Sequence, residues 1–302
     1  MSMLVGPDAL SVALRAVSFV LLLNAAGIPL FIAVFGRLVP DSLQAITTLG
    51  WRLAIAGLLF VAGHHALEAA RMAGEMGGVM DPAMQAMTLR SSEGAAFALR
   101  MLGLALVATG LRRGARSLDQ NAGDARAPGR APLAIAMAGA VLAITSFTLT
   151  GHTSVTPYRP AAAALLTLHL LVVAFWLGSL WPLHLAASRE PPPVAAQVVE
   201  AFSRIAAWVV PVILLAGVGL AVLLVPNWAV FRQPYGQLLL AKVTLFGVLM
   251  ALATLNKWTY GPACARGQPR AFKIAVAAEY VVICAVLAVT AIMTTFYSPE
   301  VP

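Results

Sequence analysis

Charge is scarce in this chain. Only 11% of its 302 residues are Asp, Glu, Lys or Arg, 60% are hydrophobic, and the mean hydropathy is +0.86. A soluble domain carries about 25% charged residues, so the composition excludes an ordinary water-soluble fold and marks an integral membrane protein. The net charge of +8 therefore belongs to loops at a membrane face rather than to a nucleic-acid footprint. Cysteine is nearly absent: Cys264 and Cys284 lack C-x-x-C spacing, read as free thiols and imply no disulfide framework. No P-loop, GxSxG, HExxH or Rossmann fingerprint occurs, which argues against a membrane hydrolase. The N-terminus has neither a basic n-region nor a small-residue cleavage site, so the first apolar run reads as a retained span rather than a signal peptide.

The apolar residues fall into long runs. A helix needs about 20 of them to cross a bilayer, and runs at 12–35, 46–67, 94–111, 131–150, 161–183, 203–225, 237–257 and 272–296 meet that need. The expected fold class is all-α, a polytopic membrane bundle of eight transmembrane helices. The connection after span three holds Arg112, Arg113, Arg116, Arg126 and Arg130, and that after span seven holds Lys257, Arg266, Arg270 and Lys273. The positive-inside rule puts these in the cytoplasm and both termini on the outside, which is the periplasm if the protein sits in a bacterial inner membrane. Segment 112–130, "RRGARSLDQNAGDARAPGR", reads as a flexible linker. It separates a three-span segment, 1–111, with a Met-rich periplasmic loop at 68–93, from a five-span segment, 131–302.

That loop carries the most unusual pattern. Of 11 methionines, five stand at Met72, Met76, Met80, Met84 and Met87, interrupted by Gly77-Gly78 and Asp81-Pro82. The glycines and the proline argue against one continuous helix. Met72 and Met76 are expected to extend span two, with Met80, Met84 and Met87 on a following short helix. Four of the five histidines lie in the outer half: His64 and His65 close span two, His152 follows span four, and His169 lies about 12 Å down span five. His184 marks the inner end of that span. Imidazole suits copper, zinc and iron, whereas thioether suits copper(I) in particular. His and Met at one face thus favour copper, Cu(I) over Cu(II). The alternatives are interfacial histidines and gap-filling methionines. His169 and Trp176 share a helix face with Val173 and Leu180. Lys242, Arg15 and Arg100 could snorkel outward, and Glu279 is expected to pair with Lys257 or Lys273.

Several stretches carry a resemblance: "GHTSV", "LHLLVVAFWLGSLWPL", "AFSRIAAWVVPVILLAGVGL", "PYGQLLLAKVTLFGVLMALATLNKW" and "AAEYVVICAVLAVTAIMTTF". With Gly151-His152, His169, Trp176, Gly178, Phe202-Ser203-Arg204, Gly217, Tyr235-Gly236, Lys242 and Asn256 in order, spans four to eight resemble the copper resistance protein D (CopD) family. Met72-Ala73-Gly74 and "MDPAM" resemble the family's looser N-terminal half. Ser179 departs from it, where a second Gly is usual. The resemblance implies an inner-membrane protein that handles copper, described for the family as moving it from periplasm to cytoplasm, with the periplasmic copper-binding protein CopC as partner. On this reading Met72, Met76, Met80, Met84 and Met87 capture copper, His65, His152 and His169 supply a deeper site, His64 is a further candidate ligand, and Trp176 and Gly178 shape the passage below. Two alternatives stand beside it: a membrane oxidoreductase with a single outer-face haem between His65 or His152 and His169, and a non-transporting copper acceptor.

Overall fold

A computed structural model describes residues 6–120, 129–225 and 227–297. Every regular element among them is helical. Eight helical segments are long and apolar enough to span a bilayer, built on α1 (Gly6–Phe35), α2 (Pro40–Ala73), α4 (Ser92–Gln120), α5 (Arg130–Thr145, carried on to Leu149 by a 3-10 turn), α6 (Arg159–Arg189), α7 (Pro192–Leu224), α8 (Pro234–Leu255) and α10 (Arg270–Phe296). Between them lie two short helices, α3 (Pro82–Leu89) and α9 (Gly261–Ala265), and a π-helical turn, Asn256–Tyr260, that joins α8 to α9. The eight expected spans are present, and several are longer than their apolar runs. The 34 residues of α2 would reach about 51 Å, well beyond a hydrocarbon core of about 30 Å. Its last turns therefore carry Glu68, Arg71 and Met72 out of the apolar layer. We call that side the methionine end and the opposite side the linker end.

An even number of spans returns the chain to the side it started from. Arg15 on α1 makes this concrete: its Nη1 donates to the carbonyl of Thr294 near the end of α10 (3.3 Å). α1 is the central post, packing on α2, α5, α6 and α10, and Ala25, Ala26, Ile28 and Phe31 are completely buried along it. It meets α6 at a backbone-to-backbone crossing. A Cβ on Gly27 would fall 1.8 Å from the Ala174 carbonyl oxygen, and one on Gly178 would fall 2.6 Å from Gly27. Small residues do the same between α4 and α5, where Gly103 and Gly139 face each other's backbone. Without a hydrophobic drive between helices in lipid, such close van der Waals approach is what holds spans together. On the outside, Trp208, Leu215 and Val222 of α7 are widely exposed, as a lipid-facing surface requires.

Part of the segment read as a flexible linker, residues 112–120, is helical. α4 continues through Gln120, because Leu111–Gln120 is rich in helix-favouring Leu, Arg and Ala and is tied to α2. Gln44 donates to Asp119 (2.8 Å), and the Arg112 guanidinium lies over the Trp51 ring (5.3 Å). Arg126 lies outside the described residues.

The breaks in the methionine stretch now have local causes. α2 ends because Gly74 adopts φ +76°, and its N–H bonds the Arg71 carbonyl. Only Gly takes that conformation at little cost. A 3-10 turn, Met76–Met80, follows, and Asp81 then caps α3 by accepting from the N–H groups of Ala83 (2.8 Å) and Met84 (3.3 Å), with Pro82 in the first turn. Gln85 docks α3 back onto the preceding chain by donating to the carbonyls of Ala66 (3.3 Å) and Val79 (2.9 Å).

Candidate functional site

The methionines sit on the outside of this fold-back. Met72 ends α2, and its sulfur accepts from Thr88 Oγ1 of α3 (3.7 Å). Met76 and Met80 open and close the 3-10 turn, while Met84 and Met87 lie on α3. Met80 therefore precedes α3 instead of sharing it, because Asp81 is the cap. Met72, Met76, Met80 and Met87 are exposed, Met80 to 85%, and Met84 is half-buried. Four of the five methionine side chains are thus exposed at the methionine end.

The histidines divide between separate environments. His64 is buried against α1. Arg15 Nε donates to His64 Nε2 (3.1 Å), and Glu68 Oε1 stands 3.2 Å from the same nitrogen. Glu68 also accepts from Arg71 (3.0 Å), Arg15 Nη2 (3.3 Å) and Ser11 (3.4 Å), and Arg71 reaches on to Asp8 (3.1 Å). The Nε2 lone pair a metal would need is taken by Arg15. His65 turns the other way, stacked on Phe97 of α4 with centroids 4.1 Å apart and its Nε2 buried without a hydrogen-bond partner. Among the described residues, no group of three or more His, Cys, Asp or Glu side chains is disposed to hold a metal ion.

His152 and His169 share a site of another kind. Both line a cavity of about 770 Å³ bounded by α1, α2, α4, α6, α7, α8, α10 and the connection between α5 and α6. At its methionine end stand Arg15, Glu68, Arg71, Glu93 and Arg100, and deeper in lie His169, Lys242 and Trp176. Leu214 and Val218 of α7 and Leu240 and Val243 of α8 line it while remaining exposed, so the cavity reaches the lipid-facing surface between those helices. His152 Nε2 is 2.9 Å from the Tyr297 carbonyl, and its ring meets Tyr235 edge-on at 5.8 Å. His169 Nδ1 is 3.1 Å from the Ile213 carbonyl. A carbonyl can only accept, so Nδ1 carries the hydrogen and the neutral ring keeps its lone pair on Nε2. Ligating histidines are commonly oriented in this way, by a bond from the other ring nitrogen. Gly217 faces the His169 ring, and a Cβ there would meet it at ordinary van der Waals distance, 3.5 Å.

Other expectations change. Lys242 stands on the cavity wall. Arg100 bonds Ser146 (3.2 Å) and Thr150 (3.4 Å) over the Phe147 ring. Gly178 belongs to the α1–α6 crossing, not to the passage. Glu279 pairs with neither Lys257 nor Lys273: it accepts from Trp176 Nε1 (3.2 Å) and from Asn256 Nδ2. Trp176, Glu279 and Asn256 come from α6, α10 and the turn after α8, so no spacing along one helix could have joined them. The one available signal was a carboxylate inside an apolar run.

The fold and site together define a polytopic helical membrane protein with a cavity lined from both halves of the chain and exposed methionines at one end. The family described as copper resistance protein D matches residues 196–293, and the copper resistance protein D-like N-terminal domain matches residues 6–157. The chain belongs to the copper resistance protein D family and is a copper-handling membrane protein. No curated protein and no solved structure matches it significantly.

Proposed function

We propose that this protein takes up copper(I) from the periplasm and holds it in the cavity on its way across the bacterial inner membrane. The methionine end faces the periplasm, with both termini, and the linker end faces the cytoplasm, in keeping with the arginines of the linker and the positive-inside rule. The observation that carries the reading is His169: an imidazole on the wall of a deep cavity, its Nδ1 engaged by the Ile213 carbonyl and its Nε2 left as the ligand nitrogen. His152 stands on the same wall nearer the mouth, beside Tyr235. The exposed sulfurs of Met72, Met76, Met80, Met84 and Met87 serve as the capture surface, where a periplasmic copper-binding protein of the CopC type would hand over its ion. Thioethers carry no proton and release metal without proton exchange.

Electrostatics favour the monovalent ion. Four cationic side chains (Arg15, Arg71, Arg100 and Lys242) line the cavity against two carboxylates, Glu68 and Glu93. Repulsion from the excess positive charge scales with the charge of the ion, so Cu(II) is penalised twice as heavily as Cu(I). A soft, neutral donor set is what can hold copper there.

The test is copper(I) uptake into sealed vesicles carrying the purified chain. Uptake above empty vesicles that falls to background in His169→Ala supports the reading. Binding without flux makes the protein an acceptor, and unchanged uptake in the variant removes His169 from the path. A Soret band in the purified protein would instead favour the haem reading.

A further inference from the structure

Beneath the cavity lies a carboxyl group that copper capture does not use. Glu279 is 3% exposed, nine residues into α10 and so about 13 Å along that helix. Ionisable groups at such depth are rare and mark ion or proton pathways. None of the ion pairs found among the described residues includes it. Two neutral donors from other spans hold its two oxygens: Trp176 Nε1 donates to Oε2 at 3.2 Å, and Asn256 Nδ2 to Oε1. Trp176 stands on the cavity wall. Asn256 opens the π-helical turn at the linker end, where Lys257, Trp258 and Thr259 are exposed. π turns concentrate at functional sites. Glu279 thus stands between the cavity and the linker-end solution.

Asn256 is fitted to both protonation states of this carboxyl. Its amide nitrogen donates to the carboxylate, and its Oδ1 is buried without a partner. Half a turn of the amide brings Oδ1 to Glu279, where it can accept the O–H of the acid. The indole of Trp176 is a donor only and cannot do the same. The proton must therefore be served from the Asn256 side.

We propose that Glu279 exchanges a proton with the linker-end solution past Asn256, whose amide bonds either state of the carboxyl without itself carrying the proton, and that protonation of Glu279 and cation occupancy of the cavity weaken each other. In the exchange the carboxyl O–H bond breaks heterolytically, the electron pair stays on the carboxylate oxygen, and the proton passes to water at the linker end. The single charge of an entering copper(I) ion is balanced by the proton that leaves. The linkage rests on the cavity reading for its cation; the proton site does not. Titratable groups on the elements packed against α10 include His169 and His184 of α6, Lys242 of α8, Lys257 of the π turn and Cys264 of α9, and α10 itself carries Lys273, Tyr280 and Cys284; the side chains in contact with Glu279 are Trp176 and Asn256. α1 contributes Asn24, which donates to the Tyr280 hydroxyl (3.2 Å).

Infrared difference spectroscopy of the full chain in lipid nanodiscs separates a carboxyl proton from those of Lys242 or His169. Copper(I) is added anaerobically, and copper content is measured in parallel. Wild type should lose one protonated-carboxyl band as copper loads. Glu279→Asp should show that band displaced. Glu279→Gln should lack it and still load copper with about tenfold weaker affinity, the effect of removing one charge roughly 10 Å away at an effective dielectric near 20. Copper loading of wild type with no change in that region, or the same band in Glu279→Gln, overturns the linkage. If wild type loads no copper, the cavity reading and the linkage both fall. A pH titration without copper then judges the proton site by itself, and spectra of wild type and Glu279→Gln that coincide at every pH overturn it.

Discussion

The crossing of α1 over α6 gives the strongest prediction about the scaffold. Replacing Gly27 with Ala adds one methyl group, placed 1.8 Å from the Ala174 carbonyl oxygen, 2.6 Å from its carbon and 2.9 Å from Gly178 Cα. All three neighbours are backbone, so no side-chain rotation can make room. The two helices must part by about 1 Å, and a gap of that size forfeits a quarter to a half of each facing van der Waals contact. Overpacking of this kind costs about 1–3 kcal/mol, and rigid neighbours put Gly27→Ala at the upper end. Gly247→Ala is the control, since nothing lies within 4 Å of a Cβ there. That change should gain about 0.5–1 kcal/mol from the better helix former. Thermal denaturation of the purified protein in one detergent, read as the loss of monodisperse material, should rank Gly247→Ala at or above wild type and Gly27→Ala clearly below. A Gly27→Ala protein as stable as wild type would show that the crossing is not the tight contact described.

Other changes should act more locally. Asp81→Ala removes the cap of α3 and should cost that helix about 1 kcal/mol, seen as faster amide exchange over Pro82–Leu89 with the spans unaffected. Glu68→Ala leaves Arg15 and Arg71 without their shared carboxylate. Because both are largely buried, the loss should be about 3 kcal/mol, the lower end of what a broken buried pair costs, and a lowered melting temperature reports it. Glu68→Gln should fall between this variant and wild type.

The spans were legible because a run of about 20 apolar residues leaves a lipid-embedded chain few options but helix. The break at Asp81-Pro82 was legible for a similar reason, since each residue has a strong local preference, whereas the end of α2 at Gly74 was not: Met76 was expected to extend that span and instead opens a separate 3-10 turn. Side-chain destinations were less so. His64 and His65 are neighbours on α2, yet one ring goes to Arg15 and the other to Phe97. Which way each turns is set by what α1 and α4 present. Gly178 looked like part of a passage until Gly27 appeared opposite it. The segment from Arg112 to Gln120 read as a linker because its charges outweighed its helix propensity, whereas Trp51 and Gln44 on α2 give those residues something to hold. Glu279 was visible as an anomaly, but its two partners, Trp176 and Asn256, come from two other places in the chain.

The most direct measurement is the copper(I) content per chain of the purified protein, wild type against His169→Ala, with Met80→Leu alongside to separate capture from retention. We expect copper to be retained by wild type and by Met80→Leu and lost from His169→Ala. Equal copper in wild type and His169→Ala would contradict a site built on that imidazole.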